Sequence, residues 1–421
     1  MHTVRLSIAL ASVTLSLWIF SSAYAINISV QYTPGILFYP GIDGTAKAAI
    51  NAAAADVSDA ITTSLNAIST DVYSGTNAST TVTFDWSYNY NSPSTGGSTT
   101  ITTPAILADS VTIFAGARSL LGNTLGVGGT SGVGLSPGAS GFPNESPAAV
   151  NSVEAQSQVA LSRGGGPVIG SLGGAFDFNG TVTNYSVDYG IAYGSLSLDN
   201  DSDNNGQPDT DSAALDSYWH WNHTTPVSAG KNDLYSVALH EILHAVGLGV
   251  SRSWDDLVAG TTWTGTEVQT LIGSGANLVT VDGGHITSGI MSTRISDGMP
   301  QEVVMDPTIT QGSRKELTAL DLAFLRDIGY ETVTPQAFSP ADYNRDGDVD
   351  GGDLATLNNW YGTNNPNGDA DGDGDTDGAD FLAWQQQYTG PLATSLAANV
   401  PEPSTAWLLL TGLLMISRRR A

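Results

Sequence analysis

Residues 233–247, DLYSVALHEILHAVG, constrain this chain more than any other stretch. Leu234, Val237, Ala238, Leu239, Ile242, Leu243, Ala245 and Val246 leave a helix over this segment almost no face for water, so it must lie inside a core. Within that apolar helix stand His240, Glu241 and His244. Residues four apart share one face, so the two imidazoles can reach a single ion, and Glu241 stands where it can take a proton from a water at that ion. Two imidazoles and a carboxylate are costly to bury unpaired, and a divalent cation with a water ligand satisfies all three. On these three residues alone, the plainer reading stays open: a buried helix that happens to contain two histidines.

Gly247, three residues past the second histidine, supplies a left-handed residue that ends the helix and turns the chain. HEILHAVGLG then resembles the HExxHxxGxxH signature of metzincin metallopeptidases, in which the turn brings a third histidine to zinc. Here that position is Val250, which cannot ligate. Of the six histidines, His2 lies in a leader, so His220, His223 and His285 remain as third donors. His285 sits in the glycine-flanked loop VDGGHITSG and is followed by VVMDP, where Met305 resembles the methionine of a metzincin Met-turn. Asp255 and Asp256 are closer in sequence but lack that setting. His220 and His223, in SYWHWNHTTP, read as a packed aromatic loop or as residues of a substrate cleft. In LTALDLAFLRDIGY, Thr318 and Asp321 start a closing helix and Gly329 stops it. This order is similar to leishmanolysin-type metzincins. The resemblance implies zinc on His240, His244 and His285, with Glu241 as the catalytic base.

The N-terminus carries Arg5, an apolar run through Phe20 and the small-residue site Ala23-Tyr24-Ala25, which reads as a secretory signal peptide over 1–25. The run is short for a membrane span. The chain of 421 residues has 41 acidic and 14 basic side chains, a formal charge of −27, which argues against nucleic acid as a partner. It has no cysteine, so neither a disulfide nor a thiolate ligand is available. In the domain expected over 26–334, INISVQY and TTVTFDWSYNY alternate as strands, and an alanine-rich helix lies between them. AILADSVTIFAGARSLLG reads as a helix-like start running into a buried strand. The Gly/Ser-rich segment from Gly122 to Pro147 reads as a long exposed loop, and strands resume in FDFNGTVTNYSVDYGIAYGSLSLD. LDNDSDNNGQPDTD offers oxygen atoms from Asp199, Asp201, Asp203, Asn205 and Asp209 around Gly206, a third calcium loop or a solvated acidic turn.

Past a linker at 335–340, a repeat begins. DYNRDGDVDGGD places Asp342, Asn344, Asp346, Asp348 and Asp353 at loop positions one, three, five, seven and twelve. DADGDGDTDGAD repeats the spacing with Asp369, Asp371, Asp373, Asp375 and Asp380, and Gly347 and Gly374 stand at position six. Alternating oxygen ligands around a glycine suit calcium, and each loop leads into a short aromatic-containing helix. Aspartate at position twelve resembles dockerin type I modules, which the span 341–390 would match. Positions ten and eleven hold Gly351, Gly352, Gly378 and Ala379, where dockerins use larger polar residues to meet cohesins, so a cohesin partner does not follow from the resemblance. Beyond a second linker at 391–399, VPEPSTAWLLLTGLLMISRRRA over 400–421 resembles a PEP-CTERM sorting signal, which exosortase-type machinery handles in bacteria with an outer membrane. An ordinary tail anchor is the alternative.

These features imply an α+β fold: a zincin- or metzincin-like catalytic domain, with a mixed twisted sheet and an active-site helix, plus a small all-α dockerin-like module with paired calcium loops. The function implied is an exported zinc-dependent endopeptidase acting on protein or peptide at the cell surface, outer envelope or extracellular matrix. The competing class is a non-catalytic calcium-binding attachment protein with a vestigial zinc site.

Overall fold

The computed structural model describes residues 26–33, 37–70, 72–102, 105–141, 146–178 and 180–390. The expected signal peptide at 1–25, linker at 391–399 and sorting tail at 400–421 lie outside the described residues. The chain divides into two compact units, one ending at Pro335 and one beginning at Gln336. Both α-helices and several small sheets are present, an α+β composition.

The main sheet of the first unit has the order β1 (Asn27–Tyr32), β5 (Ser110–Arg118), β10 (Tyr193–Asp199), β6 (Gly126–Thr130). The first three strands are parallel and β6 runs antiparallel to β10 at the edge. Helix α1 (Asp43–Ala60) buries Ala46, Ala49, Ala53 and Ala54 with Ile50 and Val57, a face of small residues that lets it pack closely against α4 (Leu234–Ala245). A second layer is built from β2 (Val72–Asn77), β3 (Thr80–Asn91), β4 (Ser98–Ile101) and β7 (Gly132–Ser140). It carries α2 (Ser146–Leu161) and the hairpin β8 (Gly170–Phe178) with β9 (Thr181–Tyr189). The fully buried Arg163 guanidinium ties the layers by donating to four main-chain carbonyls, those of Asn66, Leu107, Ser110 and Ile191.

Two readings of the sequence are corrected here. The segment from Gly122 to Pro147 is not a long exposed loop, because it contains β6 and β7. Glycine lowers strand propensity, which hides both strands from a pattern search. Yet glycine is what the fold needs there: a Cβ on Gly126 would meet Glu241 Cγ at 2.7 Å, and one on Gly128 would meet the Glu241 carbonyl oxygen at 2.1 Å. The signal available in the sequence was glycine at alternate positions, 126 and 128, which share one face of a strand. The helix-like start before β5 is also absent: Ile106 instead bridges Ile68 through two main-chain hydrogen bonds of 2.8 and 2.9 Å. Helix α2 was not anticipated.

After α4 come three further helices of this unit, α5 (Arg252–Asp255), α6 (Thr266–Ile272) and α7 (Ala319–Asp327), while α3 (Ser212–Tyr218) precedes it. Helix α7 opens on a capping box between Thr318 and Asp321 and is followed by Gly329 at φ +116°. In the second unit, α8 (Gly351–Trp360) and α9 (Gly378–Gln387) each start on a capping box, Asp350 with Asp353 and Asp377 with Asp380. Its core is small: Ala341, Tyr343, Val349 and Leu357, with Leu354, Trp360, Phe381 and Trp384 packed against them.

Candidate metal centre

Helix α4 is buried along its whole length except at His240, which is partly exposed. Asp233 caps its N-terminus, accepting from the Ser236 N–H, and is itself paired to Arg314 at 2.7 Å. At the other end Gly247, at φ +120°, reverses the chain, and the Leu248 N–H returns to the Leu243 carbonyl at 3.0 Å. The helix is therefore tied down at both ends.

His240, His244 and His285 converge, each offering a ring nitrogen within 4.8 Å of the others. The Nε2 atoms of His244 and His285 are 3.2 Å apart. Two ligands each 2.0–2.1 Å from a tetrahedral ion stand about 3.3 Å apart, so the spacing suits zinc. In the two helix histidines the other ring nitrogen is engaged: His240 Nδ1–H donates to the Val304 carbonyl at 2.7 Å, and His244 Nδ1–H donates to the Leu248 carbonyl at 2.8 Å. Those bonds place the proton on Nδ1 and leave Nε2 as a donor to metal. Burial pulls His240 down from 6.5 to about 3 and His244 to about 4, so both are neutral and ready to ligate. The donor set thus fits a zinc ion.

Val250, where the shorter motif would place a ligand, is 40 % exposed on the surface. Gly249 explains how His285 takes the role. At φ +74°, it makes room for the incoming loop: a Cβ there would lie 2.1 Å from the Gly284 carbonyl oxygen and 3.0 Å from His244 Cε1. Met305 is fully buried and lies in a turn whose main chain braces two ligands. The Val304 carbonyl holds His240, and the Met305 carbonyl accepts from the Ile286 N–H at 2.9 Å, next to His285. From α7, the buried Asp321 carboxyl accepts the Val304 N–H at 3.0 Å and so fixes that turn in place.

Glu241 is 7 % exposed, and its carboxyl is pushed up to about 8 by burial, against a hydrogen bond from the Gly128 N–H of β6 that lowers it. The residue lines a cleft of about 1140 Å³ together with the three histidines. One wall of that cleft is the segment leading into β6, Asn123 to Gly128, and the other includes Val304, Ile309 and Lys315. Neither His220 nor His223 lines it. His220 Nε2 is 2.8 Å from the Asn222 carbonyl and His223 stacks on Tyr235, so both belong to the packed aromatic loop. Asp255 and Asp256 lie away from the histidines, with Asp256 near Arg252 at 3.6 Å.

In the second unit, carboxylates converge in each loop: Asp342, Asp346 and Asp353 in the first, Asp369, Asp371 and Asp380 in the second. Asp342 accepts the N–H groups of Asp346 and Gly347 at 3.2 and 3.0 Å, and Asp369 accepts those of Asp373 and Gly374, each at 3.0 Å. Asp375 is held above the usual carboxylate range chiefly by Asp373 beside it. Asp348 and Asp375, at position seven, stand outside the carboxylate clusters; calcium loops use the main-chain carbonyl there. Asn344 and Asp373 remain on the loops, their side-chain oxygens accepting from Asp346 and Asp375 at 3.1 and 3.2 Å. The loop at Asp201 repeats the bonding of position one, with N–H groups of Asn205 and Gly206 at 3.0 and 2.7 Å. Among the described residues, however, Asp199, Asp201 and Asp203 do not converge as a group of three.

Comparison with protein-family models, with curated proteins and with solved structures gives no match.

Proposed function

We propose that this protein is an exported zinc-dependent endopeptidase of the leishmanolysin-like kind, with two calcium sites in a dockerin-like second unit. The observation that carries this reading is the convergence of three imidazoles beside a buried glutamate, in a cleft walled by the edge strand β6. Zinc bound to His240, His244 and His285 would supply Lewis acidity toward a scissile carbonyl and toward a water. Glu241 is the base: its carboxylate takes the proton of the attacking water and returns it to the leaving amine. The free edge of β6 accepts an extended substrate as an added strand, so main-chain bonds align the peptide over Glu241. A signal peptide at 1–25 and a PEP-CTERM-like sorting tail at 400–421 would put the enzyme outside the inner membrane, handled by exosortase-type machinery, with protein or peptide as its substrate.

The test is metal content of the purified mature protein, measured beside hydrolysis of casein with and without a zinc chelator. Stoichiometric zinc and chelator-sensitive hydrolysis support the reading. The variant Glu241→Gln should retain zinc and lose hydrolysis by about 10²–10⁴-fold. Wild-type protein that binds zinc yet cleaves nothing would favour the non-catalytic attachment protein.

A further inference from the structure

The three ligand histidines are not held alike. His240 and His244 each have Nδ1 on a main-chain carbonyl, whereas His285 Nδ1 is buried and makes no hydrogen bond. The group facing it is the carboxylate of Asp282, three residues earlier, with Oδ2 at 3.6 Å. That distance is just beyond a hydrogen bond and within reach of a small side-chain rotation. Asp282 is poised for it. Its Oδ1 accepts from the Thr280 hydroxyl and from the Gly284 N–H at 3.2 Å, which leaves Oδ2 for His285. The turn around it is closed by Thr280 N–H to the His285 carbonyl at 3.0 Å and by His285 N–H to Thr280 Oγ1 at 3.2 Å. The Gly283 carbonyl in the same turn accepts from the indole of the buried Trp254 at 2.7 Å, which anchors the turn to the core.

We propose that Asp282 is the positioning residue of the third ligand: its carboxylate holds His285 with the proton on Nδ1 and the lone pair of Nε2 facing His244. This rests on the zinc reading above and adds to it the source of the one orientation the main chain does not provide. A carboxylate behind a ligand imidazole also raises its basicity, so the loss should appear as weaker metal binding. The Asp282 side chain is 67 % exposed, so replacing it removes no core contact.

The experiment measures zinc affinity of the mature protein by competition with a chromophoric chelator, for wild type, Asp282→Asn, Asp282→Ala and His285→Ala. Asp282→Asn keeps an oxygen for the Gly284 N–H but loses the charge; it should bind about tenfold more weakly, and Asp282→Ala up to about 100-fold. Melting of the metal-free variants should match wild type. In the zinc-loaded wild type, ¹H–¹⁵N correlation of the imidazoles should show a protonated, slowly exchanging Nδ1 on His285, and Asp282→Ala should lose that signal. Wild-type affinity in Asp282→Ala, with affinity lost in His285→Ala, would overturn the positioning role and leave the zinc reading standing. A metal-free Asp282→Ala that melts well below wild type would assign Asp282 to loop structure instead and also overturn it. Wild-type affinity in His285→Ala would take down the ligand assignment and this proposal together.

Discussion

Gly128 lies so close to Glu241 that a single added methyl group would stand 2.1 Å from the glutamate's carbonyl oxygen. Strand and helix are in main-chain contact at the residue that would do the chemistry. Gly128→Ala must push β6 away from α4, at a cost of about 1–3 kcal/mol, and should carry the edge proposed to align a substrate out of register with Glu241. Gly129, the next residue, has open space at the same position and serves as the control. Chemical denaturation and casein hydrolysis of the two variants should separate, with Gly129→Ala near wild type in both. Equal behaviour would show that the close approach is immaterial.

Gly249 is the second such contact, and it governs the ligand loop rather than the substrate edge. A side chain there meets the Gly284 carbonyl and adopts φ +74°, so Gly249→Ala should displace His285. Zinc affinity should fall about tenfold or more, as for other changes behind a ligand, while Glu241 and α4 keep their places. Chelator competition reads this directly, and unchanged affinity would refute it.

The buried imidazoles predict how the metal-free protein responds to acid. Their folded values, about 3 for His240 and about 4 for His244, lie below the ordinary 6.5, so unfolding takes up protons. The stability they contribute is full above about pH 6.5 and drains as pH falls from there through about 4 and 3. Glu241 and Asp321, pushed up to about 8 and about 6 by burial, act oppositely; their contribution is full at low pH and lost as pH rises through those values. The urea midpoint of metal-free wild type, compared with a His240→Gln/His244→Gln variant between pH 7 and 4, isolates the histidines. The gap between the two should narrow steadily toward pH 4, and a constant gap would contradict the assignment.

Calcium should hold the second unit together. Three carboxylates within 4.8 Å in each loop repel one another without a cation, and four buried apolar residues are too few to offset that. Chelation, or Asp342→Ala with Asp369→Ala, should unfold residues 341–390 and shift the emission of Trp360 and Trp384, leaving the first unit folded. A titration with no transition in Trp fluorescence would defeat this.

Much of the centre was legible because its residues sit on one strongly patterned helix. The apolar positions of α4 and the turn at Gly247 follow from local chemistry, and His285 stands out through the short list of histidines, its glycine-flanked loop and the methionine behind it. The edge strand was not legible. Hydrophobic alternation marks strands that bury side chains, whereas β6 touches the helix through glycines that have none, so its pattern reads as a loop. The packed state of His220 and His223 was one of the two readings their aromatic setting allowed, and the contacts with Asn222 and Tyr235 decide between them.

The separation of the ligands along the chain has a kinetic consequence. His240 and His244 ride on one rigid helix, and His285 arrives 41 residues after the second of them. An ion taken up by the helix pair would meet the last donor as a tethered group, at an effective concentration set by the reach of its turn rather than by diffusion. Departure would retrace that route, through local opening of the turn from Thr280 to Gly284 rather than melting of α4. Ion exchange and global unfolding would then run on separate clocks.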